Sequence, residues 1–393
     1  IEIAEFLQAP VMTTLPGKSA FPETHPLSLG SGGPSTTGMV NKYLKGSDLI
    51  FGIGCSFTKT NFAQAIPQGK TIVHLTNDED AIGREYKTEY AMLGDAKLVL
   101  RQLLDELKSQ AGSARAKNQV LQDDIKSVKE AWLAQWMPKL TSDEVPMNPY
   151  RVVWDLMHTV DLDNVIVTHE SGSAREYMVP FWEARQPRSF IGWGKSTQLG
   201  YSLGLAMGAK MAEPDKQVIN VMGDFAFGSV GMDIETAVRA ELPIITIVLN
   251  NSTMAIYNDS RFPVAVGKYN LKSVGGQFSE VAQALGAYSE KITEPQEIIP
   301  AIKRALEVNR GGKTVLLLTG RALRADALPE GVLLGSAEEA HALARHRATD
   351  EHIVMHRGLD ARTLASGIQL SLAAAAPAQS GAAGRRSGGC RAA

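Results

Sequence analysis

Two tandem α/β domains, each a doubly wound parallel sheet, followed by an irregular tail, are what this 393-residue sequence predicts. Three observations lead there. Short apolar runs ending in Gly, Asp or Asn alternate with segments of helical period, the pattern of parallel strands joined by crossover helices. The alternation occurs twice, with a polar stretch between the two occurrences. After residue 321 it stops, and Ala, Arg, His and Gly take over.

In chain order, IEIAEFLQ (1–8) reads as a helix already under way at Ile1, as though sequence upstream were missing. DLIFGIG (48–54) and KTIVHLTND (70–78) read as buried strands, and AKLVLRQLLDELKSQ (96–110) as the helix that closes a first domain, residues 1–110. Residues 111–146 form the connection, and their Lys/Gln/Ser-rich first half reads as a connecting helix or linker. In the second domain, residues 147–320, the strands are NVIVTHE (164–170), KQVINVMGD (216–224), PIITIVLNN (243–251) and TVLLLTG (314–320). The helices between them are STQLGYSLGLAMGAKMA (196–212), VGMDIETAVRAE (230–241), FSEVAQALGAY (278–288) and EIIPAIKRALEVN (297–309). Residues 321–393 form the tail; its last 23 residues are of low complexity and are expected to be disordered. His341, His346, His352 and His356 fall in it and are read as a solvated irregular helix rather than a metal site.

Composition narrows the function. With 44% hydrophobic and 21% charged residues the chain is neither disordered, collagen-like nor a disulfide scaffold. Forty Lys and Arg against 42 Asp and Glu give no reason to expect nucleic acid or an anionic membrane as partner. Two cysteines, Cys55 and Cys390, offer neither a disulfide framework nor a Cys-based zinc site, which fits a cytoplasmic location. The longest apolar run, residues 242–249, falls well short of the about 20 residues that cross a membrane. No basic-then-apolar leader opens the chain.

The passage that carries chemistry is residues 218–257. One strand runs out at Met222, Gly223 turns, and Asp224 follows; a helix is expected from about Val230, and the next strand ends in Asn250-Asn251. In a right-handed βαβ unit both carboxyl ends lie on the same sheet edge, so Asp224 and Asn251 can converge where such sheets bind ligands. A carboxylate, an amide oxygen and a loop carbonyl suit a hard divalent cation, with Mg²⁺ completing its shell from phosphate and water. Gly-Asp or Asn-Asn alone is ordinary turn chemistry. Both at equivalent strand ends across one helix are harder to assign to turns.

Here the sequence resembles the thiamine diphosphate enzymes of the 2-oxo acid decarboxylase and acetolactate synthase type, whose signature GDG…NN stands as Gly223-Asp224-Phe225…Asn250-Asn251. The resemblance implies that Asp224, Asn251 and the Thr253 carbonyl hold Mg²⁺ on the cofactor diphosphate, with Gly223, Phe225 and Ala226 beside it. Phe225 departs from the pattern by replacing its third Gly. TLPGKSAFPETHPLSLGSGG (14–33) is similar to the start of the family's middle domain, and VTHESGSAREYM (167–178) to its diphosphate loop, which makes Gly172 and Ser173 cofactor-binding candidates. GWGKSTQLGYSLGLAMGAK (192–210) is similar to the segment under the thiazolium ring, with Leu199 the apolar residue that bends the cofactor and Thr197 facing the aminopyrimidine by its carbonyl.

The implied activity is decarboxylation or carboligation of a small 2-oxo acid in a homodimer or tetramer. Another thiamine-dependent decarboxylase or lyase, or a catalytically inactive truncated homologue, are the alternatives. The family's catalytic Glu lies in an N-terminal pyrimidine-binding domain that no segment here matches, so little turnover is expected of this chain alone. Cys55-Ser56-Phe57-Thr58-Lys59 stands where the flavin-binding relatives carry an Arg and an acidic pair, which puts FAD in doubt. Gly52-x-Gly54 is half of a dinucleotide fingerprint and reads as a tight turn. A rival P-loop reading of Gly194-Lys195-Ser196 fails because Ser189 occupies the first glycine position of that motif.

Overall fold

The computed structural model describes residues 1–33, 35–59, 64–192, 198–254, 260, 262–320 and the backbone of 354–355. In the first unit α1 (Glu2–Leu7) leads to a parallel pair, β1 (Val11–Thr14) and β2 (Ser28–Gly32), and then to α2 (Gly38–Gly46). Strands β3 (Leu49–Ile53), β4 (Thr71–Thr76) and β5 (Tyr90–Leu93) are parallel neighbours, closed by α3 (Ala96–Ala111). Alternate residues of β3 serve opposite faces, as strand geometry requires: Ile50 packs with α2, while Leu49 and Phe51 pack with α3. The sheet is therefore wound on both sides.

The connection is a 22-residue helix, α4 (Gln119–Leu140). Leu121, Ile125 and Val128 pack on the first unit's core. One turn on, Trp132, Leu133, Trp136 and Met137 pack on that of the second unit. This i, i+3, i+4 succession is one helix stripe serving two cores in turn. Lys42 and the Tyr43 hydroxyl both donate to Asp124 of α4, at 2.6 and 2.5 Å.

The second unit contains, in order, α5 (Pro149–Thr159), β6 (Val165–His169), α6 (Ser173–Phe181), β7 (Phe190–Ile191) and α7 (Tyr201–Ala212). It continues with β8 (Gln217–Gly223), α8 (Asp224–Val230), α9 (Asp233–Arg239), β9 (Ile245–Leu249) and α10 (Pro263–Tyr269). It ends with α11 (Phe278–Ala284), β10 (Tyr288–Ile292), α12 (Ile298–Arg310) and β11 (Val315–Thr319). The six strands form one all-parallel sheet in the order β10-β11-β9-β8-β6-β7. Val165, Val167, Ile219, Val221, Ile245 and Ile247 face α5, α6 and α12. Ile166, Val218, Met222, Ile244 and Val248 face α7, α9 and α11. The two-domain, doubly wound α/β prediction holds.

Three helix boundaries differ from expectation. The helix expected from residue 196 begins at Tyr201, after Gly200 at φ +96°. The helix expected from about Val230 begins at Asp224, directly off β8, and Gly231 separates α8 from α9. Any Cβ on Gly231 would stand 2.7 Å from the Phe227 carbonyl, so the chain turns where only glycine fits. The helix expected to reach residue 288 stops at Ala284, because Gly286 (φ +93°) ends it and Tyr288 opens β10. The tail beyond residue 320 lies outside the described residues, apart from β12 (Val354–Met355), which runs antiparallel to β3.

Candidate functional site

The order of the sheet reverses at β6: the chain passes outward to β7, then returns to β8 on the other flank. In open α/β sheets that is where ligands bind, beyond the carboxyl ends of the strands. Three adjacent strands deliver residues there: Ser171, Gly172 and Ser173 after β6, Gly223 to Ala226 after β8, and Asn251 to Met254 after β9. Leu199, just ahead of α7, closes the wall. Gly172 sits at φ +75°, a left-handed bend that lets the chain leave β6 and start α6 at once.

Asp224 is the centre. Its carboxylate is buried and accepts three backbone N–H groups, Phe225 at 2.8 Å, Asn251 at 3.0 Å and Ser252 at 2.5 Å. Burial nevertheless outweighs these donors and pushes its pKa up to about 6. The loop after β9 is shaped by its own side chains: Asn251 Oδ1 accepts from Thr253 N–H at 3.0 Å, and Asn250 N–H donates to Thr319 Oγ1 at 3.0 Å. Thr253 bridges to Ser273, but the hydrogen bonds run through Met254 N–H to Lys272 O and Val274 N–H to Ser252 O. The bridge thus leaves the Thr253 carbonyl out.

Nine predicted residues, Gly172, Ser173, Leu199, Gly223, Asp224, Phe225, Ala226, Asn251 and Thr253, line this single pocket. Thr197, and with it Lys195 and Ser196, lies outside the described residues. Sequence reasoning missed Pro149 and Tyr177, which line the pocket from α5 and α6. It also missed Glu170, which stands behind the pocket, fully buried. No spacing rule points to Glu170, because apart from the adjacent Ser171 the groups it binds are 30 and 32 residues away.

Chemically, the pocket offers one carboxylate, an amide and a carbonyl at the edge of an apolar wall. Among the described residues no three His, Cys, Asp or Glu side chains gather to hold a metal ion. A cation here would rest on Asp224 with neutral oxygens, the arrangement for a hard ion that takes the rest of its shell from phosphate and water. In the first unit, the ring of Phe57 lies on Gly52, where any Cβ would meet it at 2.3 Å, and edge-on to His74, centroids 4.6 Å apart. Phe57 thus takes the space beside the Gly52 backbone.

Comparison with known proteins agrees with this geometry. Residues 1–103 match the central domain of thiamine pyrophosphate enzymes, and residues 170–317 match their C-terminal TPP binding domain. The chain is 30% identical over 332 residues to a probable acetolactate synthase large subunit of Methanocaldococcus jannaschii, covering 79% of this chain and 53% of that protein. It is 29% identical over 324 residues to the acetolactate synthase isozyme 3 large subunit of Escherichia coli, covering 80% and 55%. It is 26% identical over 367 residues to a sulfoacetaldehyde acetyltransferase of Alcaligenes xylosoxydans, covering 84% and 60%. The chain spans little more than half the length of these curated relatives. Two family domains in their proper order, the second of them carrying a pocket at its strand ends, give the conclusion: the chain belongs to the thiamine pyrophosphate enzymes.

Proposed function

We propose that the pocket binds thiamine diphosphate through Mg²⁺ and serves decarboxylation or carboligation of a small 2-oxo acid, in a homodimeric or tetrameric enzyme similar to acetolactate synthase. The observation that carries this reading is the meeting of Asp224 and Asn251: the Asn251 N–H stands 3.0 Å from Asp224 Oδ2 although 27 residues separate them. Asp224, the Asn251 amide and the Thr253 carbonyl would hold the metal. Gly172 and Ser173 would flank the diphosphate, with Leu199 against the thiazolium. Bound there, the cofactor supplies a carbanion centre and an electron sink for the departing carboxylate.

The residues present suit this group. A buried carboxylate that ionises only near pH 6 gains from a cation beside it. Gly223 has open space where a Cβ would stand, so a ligand can approach the backbone closely. In the first unit Phe57 packs against Gly52, which leaves a flavin no room beside that glycine. We therefore read the enzyme as flavin-free. No described helix is long and apolar enough to cross a membrane.

Calorimetric titration with thiamine diphosphate tests the proposal. Saturable binding is expected with Mg²⁺, little with a chelator, and none in Asp224→Ala. Metal-independent binding, or binding unchanged in that variant, would remove the assignment.

A further inference from the structure

We propose that Glu170 is a positioning residue that couples the two walls of the pocket and so sets where Leu199 meets the thiazolium ring; this rests on the cofactor reading above. Glu170 follows the last residue of β6 and has no solvent exposure. Its own N–H donates to the Val221 carbonyl at 2.9 Å, which clamps its backbone to β8. The carboxylate then divides its two oxygens. Oε1 accepts the Ser171 N–H at 2.8 Å, on the wall that continues into Gly172 and Ser173. Oε2 accepts the Gly200 N–H at 3.1 Å, the Ser202 N–H at 3.4 Å and the Ser202 hydroxyl at 2.8 Å, on the wall that carries Leu199.

One side chain therefore ties residue 171 to residues 200 and 202, and Leu199 is the neighbour of the tied Gly200. The far side of that tie is rigid. Gly200 stands at φ +96°, and a Cβ on it would lie 2.4 Å from Val230 Cγ1, so the start of α7 is wedged against the end of α8. The first residue of α8 is Asp224. Burial raises the Glu170 pKa, and the four donors offset that rise only in part.

Glutamine separates this role from simple filling of space. Glu170→Gln has nearly the same shape and keeps one oxygen, which can serve only one of the two walls. Whichever way the amide turns, its NH₂ then faces the N–H groups of one wall, donor against donor, so a single side chain no longer ties both walls. Ser202→Ala removes only the hydroxyl donor. Both variants and the wild-type 393-residue chain are titrated calorimetrically with thiamine diphosphate and with inorganic pyrophosphate, each with Mg²⁺, beside thermal melts.

Glu170→Gln is expected to weaken thiamine diphosphate about tenfold, the loss of a hydrogen bond to a charged group, and to leave magnesium pyrophosphate within about twofold. Ser202→Ala is expected to shift the same ratio in the same direction by less. Equal weakening of both ligands, or of neither, overturns the proposal. If Glu170→Gln does not fold, Ser202→Ala decides, and an unchanged ratio overturns the proposal. A wild-type chain that binds magnesium pyrophosphate but gains nothing from the thiamine moiety contradicts the coupling; one that binds neither ligand removes the cofactor reading itself.

Discussion

The carboxylate of Asp224 and the backbone N–H of Asn251 are hydrogen-bonded at 3.0 Å, joining the ends of β8 and β9. The bond fixes the spacing of two oxygen-bearing side chains before any ligand arrives. Such preorganisation lowers the cost of ordering the site when a ligand binds.

A pH dependence follows from the same residue. Holding Asp224 ionised inside the fold costs about 3 kcal/mol, from a pKa raised to about 6 against an ordinary 3.8. Without a cation, this group therefore takes stability away as pH rises from 3.8 through 6. With one, protons compete for the carboxylate, so Mg²⁺-dependent cofactor affinity should fall about tenfold per pH unit below 6. Calorimetry between pH 5 and 8 checks it, and an affinity flat down to pH 5 would contradict it.

His169 acts in the opposite sense. It is enclosed, with the Nε2 nitrogen unpartnered among the described residues, and burial with Arg175 and Lys18 nearby holds its pKa down to about 4. The unfolded chain takes up the proton first, so stability is complete above pH 6.5 and is lost as pH falls towards 4, by up to about 3 kcal/mol. Denaturant titrations of His169→Gln against wild type should show the variant gaining on wild type across that window.

Gly192 is the partner of that imidazole. A Cβ built on it would lie 1.8 Å from His169 Nε2, with no flexible tip to yield. Gly192→Ala should therefore lower stability by at least about 2 kcal/mol, an overpacking cost, in equilibrium unfolding.

Phe57 gives a test in the first unit. Its ring is buried on Gly52, so the purified protein should carry no flavin absorbance and should not quench added FAD. Phe57→Ala should cost about 3–5 kcal/mol, as for other large core aromatics.

Much of this was legible in the sequence, for reasons that also explain the remainder. The four strands read in the second unit were found within a residue or two, since buried parallel strands are continuous apolar runs. The pair Gly223-Asp224 and Asn250-Asn251 was legible because a βαβ unit puts both ends on one edge. Edge strand β10, YSEKI, escapes because a half-polar edge has no such run, and the helix expected before it takes in its first residue, Tyr288. Glu170, His169 and Gly192 escaped because their roles depend on neighbours in space that no local period announces.

The junction of the two units carries a last consequence. Glu23 receives the Ala184 N–H on Oε2 at 2.9 Å, returns its own N–H to the Ala184 carbonyl at 2.9 Å, and pairs with Lys18 at 2.5 Å. Trp132 stacks on Phe181 across the same seam, its ring directly over Gly38. Separating the halves would break both hydrogen bonds between Glu23 and Ala184, expose the Lys18–Glu23 pair to water and strip an indole of its platform. The described residues should therefore melt in one calorimetric transition, with tryptophan emission and far-ultraviolet ellipticity changing together.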